Sequence, residues 1–241
     1  MPGLQTLLPA ATVAVAFGDE PPDGDLGLYP GEEAAVSRAV PQRRREFLVA
    51  RSCARQALRR LDAPAGAIPK GSAGEPLWPV GVVGSITHCA GYAAAAVARS
   101  PRVLTLGIDA EPNEPLPAGV LGLTASAAEI ARLDPLAAAD PTVQWGRLLF
   151  CAKEALYKAW YPVQRRWLGL DEVDVQLGRD GWFSCRLLAP TVDSGPFAHC
   201  QGRWALDDRV LLAAVSLPAT DWVVYGAAGA VHVDLTARYR G

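Results

Sequence analysis

The segment 145–161, WGRLLFCAKEALYKAWY, constrains the fold more than any other stretch of this chain. Trp145, Leu148, Leu149, Ala152, Ala155, Leu156, Ala159 and Trp160 recur at intervals of three and four, the period of a helix that buries one stripe. Good helix formers fill nearly every position, and Pro162 is expected to end the run. The opposite face carries Lys153, Glu154, Tyr157 and Lys158. Positions 153 and 157 are four apart, as are 154 and 158, so one polar cluster is expected. Two readings stand. The cluster is a solvated face with a Glu–Lys pair worth a few tenths of a kcal/mol, or it is a carboxylate between ammonium groups, poised to hold a metal or take a proton. The helix alone leaves both open.

A second run narrows the choice. In 104–111, LTLGIDAE, the residues Leu104, Leu106, Ile108 and Ala110 point one way, and Thr105, Gly107, Asp109 and Glu111 the other. Pro112 ends the strand, which thus presents two carboxylates on one face. Adjacent like charges repel unless a cation or solvent separates them. Oxygen ligands of this kind suit Mg²⁺, which takes one or two carboxylates, waters and substrate phosphates. A solvated strand end is the competing reading.

Elsewhere the chain reads as alternating helices and short strands. Leu7–Phe17 is apolar and is expected to be a buried strand; no Lys or Arg precedes it, so the charged start of a signal peptide is missing. Residues 31–40 look helical, stopped by Pro41, and a second helix is expected over 42–61 with Phe47, Leu48, Cys53, Ala54, Ala57, Leu58 and Leu61 inward. Residues 62–81 form a loop containing Lys70-Gly71 and Glu75-Pro76. A hairpin is expected over 82–98, turning at Cys89-Ala90-Gly91, with Ser85, Thr87 and His88 at the end of its first strand. The turn residues outweigh the helix propensity of the alanine run. A helix with the capping box Ser126-x-x-Glu129 precedes the central one. Strands near 173–177, 182–188, 202–206 and 210–217 follow it. A long helix thus precedes a strand series twice, which suggests two α+β lobes with a cleft between them.

The chain has 241 residues, half of them hydrophobic, with a net charge of −2, an ordinary composition for a folded soluble protein. The five cysteines are scattered and include no CxxC pair, which argues against a zinc site and a disulfide framework and for reduced thiols in the cytoplasm. No apolar run reaches the length of a membrane span. Charge is uneven. Arg38, Arg43, Arg44, Arg45, Arg51, Arg55, Arg59 and Arg60 crowd together with only Glu46 against them. Arg51, Arg55 and Arg59 form a stripe able to grip one or two phosphates. The acidic pI of about 5.9 and the absence of aromatic–basic interleaving speak against nucleic acid.

Three stretches stand in order: Gly84-Ser85-Ile86-Thr87-His88, Gly107-Ile108-Asp109-Ala110-Glu111 and Phe150-Cys151-Ala152-Lys153-Glu154-Ala155-Leu156-Tyr157-Lys158. Together they resemble the 4′-phosphopantetheinyl transferases of the Sfp/EntD type, whose signature pairs a G(I/V)D strand with a (W/F)xxKEAxxK helix. RRREFLVARSCAR and KGSAGEPLWP upstream also resemble that family, especially its actinobacterial members. The resemblance implies an α+β fold of two pseudo-twofold-related lobes with the active site between them. Residues 1–112 would form the lobe for the nucleotide end of coenzyme A. Residues 113–241 would carry the catalytic helix and the carrier-docking surface. It implies a cytoplasmic monomer, without nucleic-acid or membrane partners, that transfers the phosphopantetheine arm of coenzyme A to a serine of an apo acyl, peptidyl or aryl carrier protein.

The resemblance also implies the site. Asp109, Glu111 and Glu154 would hold Mg²⁺, with Mn²⁺ as a substitute. Glu154 would take the serine proton, and Lys158 would stabilise the transferring phosphate or leaving bisphosphate. Lys153, His88, Ser85 and Thr87 would contact phosphates. Arg43, Arg51 and Lys70 would grip the 3′-phosphate and adenine end, and Gly71 to Glu75 would shape the adenine pocket. Arg165, Arg166 and Trp167 are expected to help dock the carrier. A non-catalytic coenzyme A or nucleotide-binding module is the alternative, and a metal-dependent nucleotide hydrolase a third reading. The tail from Ala219 departs from the family pattern.

Overall fold

The computed structural model describes residues 3–18, 26–219, 224–226 and 229–231. A 3-10 turn at Leu4–Leu7 leads into β1 (Thr12–Phe17), so the apolar start is a turn and a strand rather than one strand. The helix expected over 31–40 is only a 3-10 turn, Glu33–Val36. Val40 precedes proline and is extended, with ψ 155, as a residue in that position is driven to be. Pro41 therefore starts α1 (Pro41–Arg60) rather than stopping a helix, because the first turn needs no N–H from it.

The hairpin forms as expected, with β2 (Val82–Cys89) and β3 (Tyr92–Arg99) in antiparallel register. β1 pairs with the other edge of β3, giving a three-stranded sheet in the order β1-β3-β2. The alanine run suits β3 because both its faces are covered. Ala93, Ala95 and Val97 pack beneath Cys53, Ala54, Ala57 and Leu58 of α1. Ala94, Ala96 and Ala98 pack against Leu106, Ile108 and Ala110 on the other side. Small side chains let both layers approach.

Those last three residues belong to β4 (Val103–Pro112), which opens the second half of the molecule. There follow α2 (Val120–Thr124), α3 (Ala127–Ala139), α4 (Trp145–Gln164), β5 (Val173–Leu177), β6 (Trp182–Leu187), β7 (His199–Asp207) and β8 (Val210–Pro218). A five-stranded antiparallel sheet runs β4-β8-β7-β6-β5, and α4 lays its Trp145, Leu148, Leu149, Ala152, Leu156 and Trp160 stripe on it. Pro162 does not end α4; the helix continues to Gln164, and Arg165, at φ +53, supplies the left-handed stop. α3 begins with the expected capping box of Ser126 and Glu129. Most of the tail falls outside the described residues, apart from β9 (Val224–Gly226) paired with β10 (Gly229–Val231).

The fold is mixed α+β with two main antiparallel sheets. β2 and β4 lie side by side at their junction but belong to different sheets. Two hydroxyls stitch them instead: Ser85 Oγ accepts from the Ile108 amide at 3.1 Å, and Thr87 Oγ1 from the Ala110 amide at 3.0 Å. The other face of β4 meets α4. Thr105 Oγ1 donates to the Ala159 carbonyl at 2.7 Å. At Gly107 the helix backbone comes so close that a Cβ would stand 2.0 Å from the Ala155 oxygen. Only glycine permits this crossing, which places Asp109 beside the polar side of α4.

Candidate active site

A cleft of about 490 Å³ opens between β2, β4, α1, α4 and the loop 70–76. At its centre Asp109, buried on β4, accepts two hydrogen bonds through Oδ1, from Lys158 Nζ at 2.6 Å and Thr87 Oγ1 at 3.0 Å. Its Oδ2 is buried and has no hydrogen-bond partner among the described residues. Burial pulls the Lys158 ammonium down, but the charge and hydrogen bond of Asp109, with Glu154 nearby, carry it above its ordinary value.

Glu111 and Glu154 complete the acidic wall. Burial raises the pKa of each carboxyl and the charge of Asp109 raises it further. Glu111 is partly compensated by Arg147, whose Nη1 lies 2.9 Å from its Oε2. Glu154 has no ion-pair partner among the described residues. The three carboxylates share one cleft, yet among the described residues no three acidic, His or Cys side chains are gathered closely enough to ligate one cation.

Basic residues line the same cleft. Arg43 hydrogen-bonds His88 Nε2 and pairs with Glu46 Oε2 at 3.2 Å. Burial, then the neighbouring guanidinium, lowers the His88 pKa, so its imidazole is neutral at pH 7. Arg51 is buried, with Nε donating to the Ile68 carbonyl at 2.8 Å and the guanidinium over the Phe47 ring, 4.4 Å from its centre. Burial brings its pKa down to about 10, so it remains a cation. Lys70, Glu75, Ser85 and Thr87 line the same cleft.

Gly71 does not line it. Its amide donates to the Glu75 carbonyl at 2.7 Å, and the Glu75 carboxyl occupies the place of a side chain, 2.4 Å from where a Cβ would stand. The close approach expected of Gly71 is thus to Glu75 rather than to a ligand. Glu75 Oε1 also takes Arg165 Nη1 at 2.8 Å, joining the loop to the end of α4.

Two expectations require correction. Lys153 is not in the cleft. It is buried on another side of α4, where Nζ donates to the Thr124 carbonyl (2.8 Å), Glu129 Oε2 (2.8 Å) and the Leu170 carbonyl (2.6 Å). Successive residues stand about 100° apart around a helix, so Lys153 cannot share the face of Glu154. The arginine stripe also divides. Arg55 is fully buried, pairs with Glu32 at 3.3 Å and lies over Tyr29, so it holds the loop before α1 rather than a phosphate, and Arg59 is exposed.

Sequence reasoning missed Arg147, which pairs with Glu111, and the part of Phe47, Phe150 and Tyr161 as apolar walls of the cleft. Trp167, 73% exposed, lies 5.0 Å from the Tyr157 ring, whose residue lines the cleft.

A cleft lined by the cations Arg43, Arg51 and Lys70 together with a carboxylate–ammonium group is that of an enzyme acting on a phosphorylated substrate. Residues 31–98 match the 4′-phosphopantetheinyl transferase N-terminal domain, and residues 105–214 match the 4′-phosphopantetheinyl transferase superfamily. The chain is 46% identical over 220 residues to the 4′-phosphopantetheinyl transferase Svp of Streptomyces mobaraensis, covering 90% of this chain and 89% of that one. It is 43% identical over 224 residues to the transferase Npt of Nocardia iowensis (88% and 99%). It is 41% identical over 230 residues to PptT of Mycobacterium tuberculosis (88% and 98%). The chain belongs to the 4′-phosphopantetheinyl transferase superfamily and is a transferase of that class.

Proposed function

We propose that the cleft binds coenzyme A across the junction of β2, β4 and α4 and transfers its phosphopantetheine arm to a carrier-protein serine. The observation that carries this reading is the convergence of Asp109, Glu111, Glu154 and Lys158 on the same cleft as Arg43, Arg51 and Lys70. Residues 1–112 hold the nucleotide end, and residues 113–241 supply the catalytic helix and carrier surface. β4 serves both, packed on β2 and hydrogen-bonded to β8.

Arg43, Arg51 and Lys70 bind the 3′-phosphate and adenine end. Neutral His88, held by Arg43, lies beside the phosphates with Ser85 and Thr87. Glu154, the acid without a cation of its own and with a raised pKa, accepts the proton of the attacking serine. The serine oxygen bonds to the phosphorus of the phosphopantetheine, the bridging diphosphate bond breaks, and adenosine 3′,5′-bisphosphate leaves. Lys158 stabilises the charge that develops.

The donor set fits a divalent cation, Mg²⁺ or Mn²⁺. The free buried oxygen of Asp109 is an unused ligand, Glu111 and Glu154 are near, and Mg²⁺ takes only one or two carboxylates beside waters and phosphates. When bound, such an ion neutralises charge on the diphosphate. Arg165, Arg166 and exposed Trp167 beside the cleft meet the carrier. On this reading the protein works as a monomer in the cytoplasm; the described residues contain no helix long and apolar enough to cross a membrane, and their cysteines are free.

The test is the intact mass of an apo carrier incubated with this protein, coenzyme A and Mg²⁺, with and without EDTA. A gain of about 340 Da, one transferred phosphopantetheinyl group, that disappears with EDTA is expected. Coenzyme A binding with no gain on acyl, peptidyl or aryl carriers would favour the non-catalytic module.

A further inference from the structure

Arg147 stands in the first turns of α4, two turns before Glu154, and no part of the proposed chemistry uses it. Its guanidinium makes three separate contacts. Nη1 takes Glu111 Oε2 at 2.9 Å, Nε donates to the Glu114 carbonyl at 3.1 Å, and Nη2 to the Pro115 carbonyl at 2.8 Å. The side chain is 15% exposed and that of Glu111 20%, so the pair is sheltered from screening by solvent. Neighbouring contacts pin the same corner: Asn113 Oδ1 accepts from the Gln144 amide at 2.8 Å, and Asn113 Nδ2 donates to the Thr142 carbonyl at 2.7 Å.

The end of β4 is thus fastened to the start of α4, and the fork of Arg147 sets where the Glu111 carboxylate sits. A lysine could supply the charge but not three donors in one plane. We infer that Arg147 is a positioning residue for the cation-binding wall, holding Glu111 by one oxygen so that only the other is free toward a divalent ion. This rests on the cation reading of the preceding subsection. Lys158 holds one oxygen of Asp109 and Arg147 one of Glu111, so each acid on β4 keeps a single oxygen in reserve. Two one-oxygen ligands leave room in an octahedral shell for waters and the diphosphate.

Partners that orient a metal ligand from behind are worth about 10–100-fold in metal affinity. The experiment is a titration of the protein with Mn²⁺ in the presence of coenzyme A, read by loss of the free-ion electron paramagnetic resonance signal. It compares the unaltered chain, Arg147→Met, Arg147→Lys, Glu111→Gln and the double variant Arg147→Met/Glu111→Gln. Coenzyme A affinity without metal and thermal melting are measured alongside. Arg147→Met is expected to weaken Mn²⁺ binding about tenfold or more, with metal-free coenzyme A affinity unchanged. Arg147→Lys, which keeps charge and fold, falls between, and the double variant binds no worse than Glu111→Gln alone. Unchanged Mn²⁺ affinity in both Arg147 variants overturns the inference. So does an equal loss with and without Glu111, which marks a merely structural residue. Failure of the unaltered chain to bind Mn²⁺ would remove the cation reading itself, whereas intact binding there with indifferent Arg147 variants removes this inference alone.

Discussion

Lys158 Nζ lies 2.6 Å from Asp109 Oδ1, the same oxygen that Thr87 Oγ1 reaches at 3.0 Å. One oxygen therefore joins α4, β4 and β2. Thr87 donates to Asp109 while accepting from the Ala110 amide, so a single hydroxyl both seams the sheets and steadies the acid. Thr87→Val keeps the shape and strands that buried amide. The expected cost is about 1–3 kcal/mol, or roughly 2–4 °C of Tm per kcal/mol for a chain of this size. Transfer activity should fall as well. Unchanged melting would show that the hydroxyl does not hold the seam.

Gly107→Ala places a methyl 2.0 Å from the Ala155 oxygen and 2.5 Å from the Ala159 nitrogen, both backbone atoms that no rotamer change can clear. α4 must lift from β4. We expect a loss at or beyond the upper end of the about 1–3 kcal/mol typical of overpacking. Misplacing Glu154 and Lys158 against Asp109 should lower kcat/KM by about a hundredfold. Retention of full activity would mean that the crossing at Gly107 does not set the site.

Lys153→Met leaves Glu129 buried without its cation, although the Ser126 and Val175 amides still donate to it. Breaking such a pair costs about 3–5 kcal/mol, and replacing Glu129 by Gln in the same chain should recover part of that. Because Lys153 lies away from the cleft, KM for coenzyme A in the folded fraction should stay unchanged. A raised KM with unaltered melting would restore the phosphate contact expected from the motif.

Glu154 predicts two opposite responses to pH. As a base it must be ionised, and its pKa is raised by burial and by Asp109, so the acid limb of kcat/KM should lie above the ordinary carboxyl value of 4.5. For stability, a carboxyl whose folded pKa is raised binds its proton more tightly when native. Its ionised form therefore costs stability above that folded value, and the cost vanishes below the unfolded one. Glu154→Gln in EDTA should thus melt higher than the unaltered chain at pH 7, with the gain shrinking as pH falls through the raised folded value and gone below 4.5, while transfer drops by at least about a hundredfold. Equal melting of the two at pH 7 would contradict the strained carboxylate.

Much of this architecture is written in local pattern. The period of α4, the alternation along β4 and the turn residues around the alanine strand each identify their element, because each is buried on a regular face. What escaped depends on partners distant in sequence. Arg55 looks like its neighbour Arg51 until Glu32 folds back to meet it, and Lys153 looks like a ligand until Glu129 arrives from α3. Arg147 carries no motif; only the corner it shares with Glu111 reveals it. Pro41 misled for another reason. Proline stops a helix only where the helix needs its N–H or its space, and Pro41 stands where neither is required.

The ladder between β4 and β8 has a consequence for how the protein is made. Every residue assigned to the cleft has left the ribosome by the end of α4, yet Asp109 sits opposite Ala213, near the far end of the described chain. At roughly 5–20 residues per second the edge of β4 waits several seconds for its partner. An unpaired edge is a template for other chains. A message cut short before Val210 would thus encode every residue of the proposed site and still leave the edge of β4 open to pairing with other chains.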